Sequence, residues 1–252
     1  MTLLTLARDL RRRKARERQQ LFVAEGVRAV EELLASPLRI HGALASERLA
    51  ETERGVALRR ALASGGFEIT DVSDRDFASA SDTDAPQGVL AVAECPERSL
   101  AIVAGRSPLR LLVLDAVQDP GNVGTVIRTA AAFGVDATVA LPGTVDLWNA
   151  KVVRSAMGAH FQHPALACTW SDLEAFLDRE AVPLWAADAR GTSIDALEAP
   201  SRLALAVGNE GAGLSSELAA RASTLVSLPI AREVESLNVA IATGVLLYEL
   251  RP

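Results

Sequence analysis

Nearly uninterrupted apolar segments alternate with amphipathic ones along this chain. The clearest is Leu109-Arg-Leu-Leu-Val-Leu114, which is apolar at five of its six positions. A segment of this kind is typical of a strand that is buried on both faces of a parallel sheet. A polar loop containing glycine and then a helical pattern follow it, and this order recurs to the end of the sequence. We therefore predict an α/β fold whose second part has a mainly parallel sheet with helices on both faces.

The same patterns place the remaining elements. In the second part we predict strands at 109–114, 137–141, 182–187, 203–207 and 224–228, and helices at 125–133, 149–157, 172–180, 214–221 and 236–250. In the first part we predict strands at 21–24, 40–45, 67–72 and 88–93, and helices at 5–19, 26–35 and 51–64. Between the first and the second part of the chain, proline, glycine and charged residues indicate a linker. The predicted organisation is a small α/β domain at 1–96, a linker at 97–108 and a larger domain at 109–252.

Composition narrows the class of protein. Apolar residues make up 49% of the 252 positions, which suffices for a buried core. No apolar stretch reaches membrane-spanning length and the first residues do not resemble a signal peptide, so we expect a cytoplasmic protein. Cys95 and Cys168 are far apart, and His41, His160 and His163 lack the spacing of metal ligands. We expect two reduced, at least half-buried thiols and no metal.

Charge is unevenly distributed. The formal net charge is −6, yet one short segment is strongly basic. Its cations are Arg8, Arg11, Arg12, Arg13, Lys14, Arg16 and Arg18, opposed by Asp9 and Glu17. One interpretation is a surface that binds nucleic-acid phosphates, and the other is a solvated helix face.

Three loops at the ends of predicted strands carry unusual chemistry. Ligands of open α/β sheets bind beyond such strand ends. The first loop, Asp119-Pro-Gly-Asn-Val-Gly-Thr-Val-Ile-Arg128, leads into a helix predicted to begin near 122–125, with Arg128 about one turn in. Backbone N–H groups at the start of that helix can hold an anion or a ribose. A glycine-containing turn with a surface arginine is the alternative.

The second loop is Gly208-Asn-Glu-Gly-Ala-Gly213. Its glycines permit close approach of backbone to a ligand, but their order fits neither the dinucleotide fingerprint nor the P-loop. Glu210 would repel a phosphate, so a ligand with a cationic or hydroxyl-rich part fits better.

The third loop lies in the run Ser227-Leu-Pro-Ile-Ala-Arg-Glu-Val-Glu-Ser-Leu-Asn238, before an apolar helix. Ser236 is a candidate N-cap of that helix and Asn238 is near enough to share the task. The sequence has no GxSxG motif and no nucleophilic cysteine with a matched histidine, so a covalent enzyme intermediate is poorly supported.

Together the loops resemble motifs one, two and three of the SpoU (TrmH-like) family of RNA 2′-O-ribose methyltransferases, in the SPOUT superfamily. The segment Arg154-Ser-Ala-Met-Gly-Ala-His-Phe161 is similar to a family stretch between motifs one and two. The segment Phe22-Val-Ala-Glu-Gly-Val-Arg28 resembles the family's ribosomal-protein-like RNA-binding domain. The resemblance implies a C-terminal SPOUT domain with a deep trefoil knot, a homodimer formed through that domain, and S-adenosylmethionine (AdoMet) as cofactor.

The resemblance also assigns residues. The polar active-site positions it implies are Asn122, Arg128, Glu210, Ser236 and Asn238. The cofactor contacts it implies are Gly208, Leu228 and Leu237, with Asn209 and Leu141 as neighbours. The RNA-binding residues we predict are Arg8, Arg11, Arg12, Arg13, Arg16 and Arg18. The third motif departs from the family at Ala231-Arg232-Glu233, where a small residue and glycine are usual, and at Ile230, where methionine is usual.

The predicted reaction is an in-line displacement in which a ribose 2′-oxygen attacks the sulfonium methyl group, the bond from sulfur to that methyl breaks, and S-adenosylhomocysteine leaves. An arginine guanidinium has a pKa above ~12, so we favour a role for Arg128 in holding the adjacent phosphate over direct proton removal. The predicted substrate is ribosomal RNA. Transfer RNA, a non-catalytic RNA-binding or ribosome-assembly protein on the same fold, and a Rossmann-type nucleotide enzyme are the alternatives.

Overall fold

The computed structural model describes residues 1–231 and 233–251. The chain forms two compact units, and residues 148–162 belong to the first of them. The first unit is Met1–Glu97 with Trp148–Gln162, and the second is Arg98–Leu147 with the residues from His163 onward. This division differs from the predicted one, in which residues 109–252 formed a single domain.

The first unit is built on a four-stranded sheet in the order β1-β4-β2-β3. The strands are β1 (Leu21–Glu25), β2 (Ile40–Ala45), β3 (Ile69–Asp71) and β4 (Val89–Glu94). β4 is antiparallel to both β1 and β2, and β2 is parallel to β3. The central strand β4 is buried from Val89 to Ala93. The predicted strands are therefore confirmed, although β3 is shorter than expected.

The helices of the first unit are α1 (Leu3–Asp9), α2 (Arg13–Gln19), α3 (Val27–Leu34), α4 (Glu53–Ser64), α5 (Asp74–Ala80), α7 (Ala150–Ser155) and α8 (Ala159–Gln162). The sequence patterns did not separate α1 from α2 and did not find α5 or α8. The single helix predicted at 5–19 is wrong, because the backbone is extended at Arg12. Arg16 is buried and donates from Nη1 to the carbonyl oxygens of Leu10 (2.7 Å) and Arg11 (2.9 Å), which fills the break.

Aromatic packing holds residues 148–162 in the first unit. The ring of Phe22 on β1 lies 4.4 Å from the ring of Trp148 and 5.8 Å from that of Phe161, measured between centroids. Val153 and Phe161 are fully buried in the core formed by β1, β4 and α3. The buried carboxylate of Glu25 lies 3.9 Å from Nη1 of Arg154. The segment from Arg154 to Phe161, which resembles the family stretch between motifs one and two, thus contributes to the hydrophobic core of the first unit.

The second unit contains a six-stranded, entirely parallel sheet in the order β10-β8-β9-β5-β6-β7. Its strands are β5 (Leu109–Leu114), β6 (Ala137–Ala140), β7 (Ala165–Ala167), β8 (Leu184–Ser193), β9 (Arg202–Val207) and β10 (Thr224–Ser227). Every residue of β5 is buried, as expected for a strand covered on both faces. The prediction of a parallel α/β sheet is confirmed. The short edge strand β7 was not predicted, because three residues give no usable period.

The helices of the second unit are α6 (Pro120–Ala132), α9 (Trp170–Arg179), α10 (Ser216–Arg221) and α11 (Val239–Glu249). α6 packs against α11. The predicted linker at 97–108 contains a short 3₁₀ helix, Leu100–Val103, whose Leu100 and Val103 enter the core. Both cysteines are half-buried thiols, as predicted, and burial raises the pKa of the Cys168 thiol to about 11.

Two basic side chains are buried in this sheet. Arg110 on β5 donates from Nε to the carbonyl oxygen of Leu250 (2.7 Å) and from Nη1 to that of Ser201 (2.9 Å), so it secures the end of α11. His163 is buried, with Nε2 2.8 Å from Oγ1 of Thr138. Burial and the nearby charge of Arg98 lower the pKa of His163 to about 4.

The titration of His163 makes folding depend on pH. In the unfolded chain the imidazole has a pKa of about 6.5, so it takes up a proton as the pH falls below that value. In the folded protein the pKa is about 4, so the proton is taken up only at lower pH. The stability that neutral His163 contributes is therefore present above pH 6.5 and is lost as the pH falls. We expect the free energy of unfolding of the wild type to lose about 2 kcal/mol from this group between pH 7 and pH 5.

The measurement is denaturant unfolding of the wild type and of His163→Gln at both pH values. The glutamine can still hydrogen-bond Thr138 but does not titrate, and the carboxylates are common to both proteins. The wild type should therefore lose more stability on acidification than the variant does. An equal loss in the two proteins would contradict this assignment.

Candidate active site

Three segments meet beyond the carboxyl ends of neighbouring parallel strands. They are the loop from Asp115 to Asp119 after β5, the loop from Gly208 to Gly213 after β9, and residues 228–238 after β10. Because β5 lies beside β9 and all strands of this sheet run in one direction, these ends share one edge. This edge is where open α/β sheets bind ligands.

The first segment turns directly into α6. Asp119 is the N-cap, its Oδ1 accepting a hydrogen bond from the backbone N–H of Asn122 at 2.8 Å, and Pro120 is the first helical residue. The helix therefore begins earlier than predicted, and Arg128 lies more than two turns into it rather than one. The Arg128 side chain is exposed, and no ion pair is recorded for it among residues 1–231 and 233–251.

The second segment is a tight loop closed on itself. The backbone of Asn209 exchanges hydrogen bonds with that of Gly213, N–O 2.8 and 3.0 Å, while Gly213 has a φ of +72°. A side chain on Gly208 would lie 2.5 Å from the Gly213 carbonyl, so only glycine fits there. The Asn209 side chain donates to the Ala116 carbonyl (2.8 Å) and accepts from the N–H of Gly211 (2.9 Å). The loop is therefore rigid before any ligand binds.

The third segment ends at the N-terminus of α11. Asn238 is the N-cap, and its Oδ1 accepts hydrogen bonds from the N–H groups of Ala240 (2.9 Å) and Ile241 (3.3 Å). Of the two predicted cap candidates, Asn238 is the cap and Ser236 is not, and the helix predicted from 236 begins at Val239. Arg232, the departure from the family motif, lies outside the described residues.

One carboxylate joins the three segments. Glu210 accepts hydrogen bonds from the N–H of Gln118 (3.3 Å) and Asp119 (3.2 Å) and from Nδ2 of Asn122 (3.1 Å). Oδ1 of Asn122 in turn accepts from Nδ2 of Asn238 at 3.0 Å. The structure thus brings together Asn122, Glu210 and Asn238, three of the five polar residues that the sequence assigned to the site. We call these three side chains the polar latch.

The latch keeps Glu210 ionised. Partial burial acts to raise the pKa of Glu210, but the hydrogen bonds from Asn122 and from the backbone outweigh it, and the pKa is lowered. At neutral pH the carboxylate is therefore an acceptor only, which fixes the orientation of the Asn122 amide. Because the amide nitrogen of Asn122 donates to Glu210, its oxygen Oδ1 is directed to accept from Asn238.

A cavity of about 570 Å³ opens beside the latch. Such a volume lies within the ~300–1,000 Å³ range of small-molecule and cofactor sites. Seven of the ten predicted site residues line it: Gly208, Asn209, Glu210, Leu228, Ser236, Leu237 and Asn238. The predicted cofactor pocket and the observed cavity are therefore largely the same place.

Three predicted site residues lie elsewhere. Leu141 is buried in the core behind the sheet edge and does not line the cavity as the structure describes it. Asn122 reaches the cavity only through its hydrogen bonds to Glu210 and Asn238. Arg128 is on the exposed side of α6 and is not part of the cavity wall.

Sequence reasoning missed part of the wall. Ala187, Asp188 and Ala189 follow the first paired stretch of β8, and Ser227, Ile230 and Glu235 complete the side formed by the third segment. The signal that could have found Asp188 is its place just beyond a predicted apolar strand, next to two other ligand-binding loops. The sequence around it has no glycine pattern, so it was overlooked.

The basic segment in the first unit is locally compensated. Its exposed arginines pair with acidic neighbours: Arg8 with Asp76, Arg11 with Asp82, Arg12 and Arg18 with Asp9, and Arg13 with Glu17. Arg16 is buried, so its prediction as an RNA contact is wrong. The other five remain exposed and stay predictions as phosphate ligands.

Within the described part of the chain, no group of three or more histidine, cysteine, aspartate or glutamate side chains could hold a metal ion. No helix among those residues is long and apolar enough to cross a membrane.

Comparison with known proteins identifies the class. The sequence profile described as the SpoU rRNA Methylase family matches residues 110–248, and one described as the MRM3-like substrate binding domain matches residues 5–91. The chain therefore belongs to the SpoU rRNA methylase family, as its three motifs predicted. The Rossmann-type alternative is not favoured.

Similar proteins cover nearly the whole chain. The 23S rRNA (guanosine(2553)-2′-O)-methyltransferase RlmP of Bacillus subtilis is 35% identical over 97% of this chain and 94% of that protein. The AdoMet-bound rRNA methyltransferase from Sinorhizobium meliloti has a TM-score of 0.85 at 29% identity, covering 99% of this chain and 94% of that one. The SpoU methyltransferase AviRb from Streptomyces viridochromogenes, in complex with AdoMet, has a TM-score of 0.90 at 25% identity, covering 99% and 97%.

The latch and the helix cap can be separated at Asn238. Asn238→Asp keeps an oxygen that can cap α11 but loses the amide that donates to Asn122. Asn238→Ala loses both functions and should cost about 1 kcal/mol of stability from the cap alone. We expect hydrogen exchange in the first turn of α11 to speed up in the alanine variant, and exchange in the 115–122 segment to speed up in both. Unchanged exchange at 115–122 in both variants would refute the latch.

Proposed function

We propose that this protein transfers a methyl group from AdoMet to a ribose 2′-hydroxyl of ribosomal RNA. The observation that carries the proposal is the cavity at the ends of β9 and β10, bounded by the polar latch, in a chain of the SpoU family. RlmP of Bacillus subtilis, 35% identical over nearly all of this chain, is a 23S rRNA (guanosine(2553)-2′-O)-methyltransferase, which supports this substrate over tRNA.

The residues present fit the cofactor. The cavity offers apolar side chains of Leu228, Ile230 and Leu237 for an adenine ring, and Gly208 is also part of its wall. The charged side chains among its described lining residues are Asp188, Glu210 and Glu235, all acidic. An acidic wall suits a ligand that carries a sulfonium and an ammonium group, and it opposes a polyphosphate.

The chemistry divides between cofactor and protein. Bound AdoMet supplies an electrophilic methyl group. The protein must hold the ribose 2′-oxygen in line with that group, and orientation of this kind can be worth effective molarities up to ~10⁸ M. The latch keeps the ends of β5, β9 and β10 in fixed register, so Asn122 and Asn238 position substrate and cofactor relative to each other.

Arg128 acts on the RNA side. Its guanidinium is exposed and carries a positive charge. It holds the phosphate next to the reacting ribose, and the positive charge stabilises the oxyanion that develops on the 2′-oxygen. Ser236 lies at the cavity rim and orients the ribose by its hydroxyl.

The test uses ribosomal RNA, tRNA and AdoMet labelled on the methyl group. The wild type should label ribosomal RNA at a ribose 2′-oxygen. Arg128→Ala should lower the rate about 100-fold or more while AdoMet affinity, measured by calorimetry, stays the same. Arg60→Ala, an exposed arginine of the first unit, is the matched control and should retain most activity.

The outcomes separate the alternatives. Labelling of tRNA alone would show that the substrate is tRNA and not ribosomal RNA. AdoMet binding without transfer to either RNA would favour a non-catalytic RNA-binding protein. Full activity of Arg128→Ala would remove Arg128 from the mechanism and leave the reaction class in place.

We also propose a homodimer formed through the second unit. Ile241, Val245 and Tyr248 lie on one face of α11 and have 59%, 42% and 49% of their surface exposed. The opposite face is buried at Leu246 and Leu247, so this helix is apolar all round. A helix of this kind is normally covered on every side, and a second copy would cover the open face. The trefoil knot implied by the resemblance stays a prediction.

Charge on that face should separate the copies. Ile241→Glu would bury a carboxylate in the dimer, so we expect the mass measured by light scattering to fall from two chains to one at micromolar concentration. Ile102→Glu changes an isoleucine of similar exposure, on the 3₁₀ helix at 100–103, and should leave the mass unchanged. A wild type that is monomeric at the same concentration would contradict the proposal.

A further inference from the structure

Asp188 occupies an irregular stretch of β8 at the wall of the cavity. β8 pairs with β10 in two parts, because Leu225 lies opposite Ala186 while the next residue, Val226, lies opposite Thr192. Residues 187–191 therefore bulge out of the ladder. Gly191 returns the strand to register, where a Cβ would lie 2.5 Å from the Leu225 carbonyl. Asp188 lies in this bulge and lines the same cavity as Gly208 and Leu228.

The carboxylate of Asp188 is held in one orientation. Its Oδ1 accepts from the backbone N–H of Arg190 (2.8 Å) and from Nε of Arg190 (3.0 Å), and Oδ2 accepts from Nη2 (2.9 Å). These hydrogen bonds lower the pKa of Asp188, so it is ionised at neutral pH. The aspartate side chain is 16% exposed and the arginine side chain 86%. Asp188 lines the cavity and is mostly shielded from solvent, whereas the charge of Arg190 is largely screened by water.

Asp188 takes no part in the polar latch. Glu210 is committed to Gln118, Asp119 and Asn122, and Glu235 is exposed. Asp188 is thus a half-buried, oriented carboxylate of the wall, and its described partner, Arg190, is a largely exposed side chain that does not line the cavity. The reaction changes the charge of the ligand in this cavity, because the methyl donor carries a sulfonium cation and the product carries a neutral thioether.

We propose that Asp188 makes the cavity prefer the positively charged methyl donor over its neutral product. This inference rests on the proposed function. The field of a fixed carboxylate stabilises the sulfonium and has no matching charge to act on in the thioether. After transfer the attraction is gone, so Asp188 assists exchange of product for new donor. It is a specificity-determining residue, and it carries no proton in the reaction.

Binding affinities test this without relying on turnover. AdoMet and S-adenosylhomocysteine are each titrated by calorimetry into the wild type, Asp188→Asn, Asp188→Ser and Arg190→Gln. The asparagine and serine variants keep an oxygen that can accept from the Arg190 N–H but lose the charge. We expect both to weaken AdoMet binding about 5-fold, the effect of one partly screened charge, and to change S-adenosylhomocysteine binding less than about 2-fold.

Arg190→Gln removes the counter-charge and keeps the carboxylate. The preference for AdoMet should then equal or exceed that of the wild type. A loss of preference in this variant would overturn the inference, because it would show that the ion pair as a whole, and not the carboxylate, sets the affinity.

Other outcomes are equally distinct. Equal weakening of both ligands by Asp188→Asn would overturn the inference and assign Asp188 to a group that donor and product share, such as the ribose hydroxyls. Unchanged affinities for both ligands would also overturn it. If the wild type bound neither ligand, the proposed function itself would fail and the inference with it. If every variant bound both ligands with the same ratio of AdoMet affinity to S-adenosylhomocysteine affinity, the inference alone would fail.

Discussion

The carboxylate of Glu210 accepts three hydrogen bonds from the segment that connects β5 to α6. Two come from the backbone, so they fix the path of the chain, and the third fixes the Asn122 amide. Through Asn122 the same carboxylate determines where Asn238 can lie, and hence where α11 begins. These hydrogen bonds are exposed to solvent, so each contributes only about 0.5–1.5 kcal/mol, and it is their number that holds the three loops in place.

Much of this was accessible from the amino-acid order. Within the described residues, the period of apolar residues located every strand except β7. β3 and β7 both have three residues, but the alternation at 67–72 extends beyond β3 and marked it. The loops at 119–128, 208–213 and 228–238 were recognisable by residue type, and the structure assembles most of them around one cavity. The local pattern could not locate the first residues of the helices. Asp119 and Asn238 are the N-caps, but neighbouring residues of similar chemistry could also cap a helix.

The remaining failures have one cause, which is dependence on contacts far apart in the sequence. Arg16 reads as a surface cation beside six others, yet its guanidinium satisfies carbonyl groups freed by the break between α1 and α2. Asp188 enters the cavity wall because β8 changes register against β10, a strand that starts more than thirty residues later. Leu141 ends its strand as expected, but the side chain packs into the core.

Residues 148–162 complete a hydrophobic core that the first ninety-seven residues begin. Phe22 lies on β1, and its aromatic neighbours Trp148 and Phe161 lie more than a hundred positions further along the chain. During synthesis the first unit therefore emerges from the ribosome with this part of its core uncovered, and at about 5–20 residues per second it waits several seconds for the missing side chains. The order of translation thus couples maturation of the first unit to emergence of β5, α6 and β6 from the second.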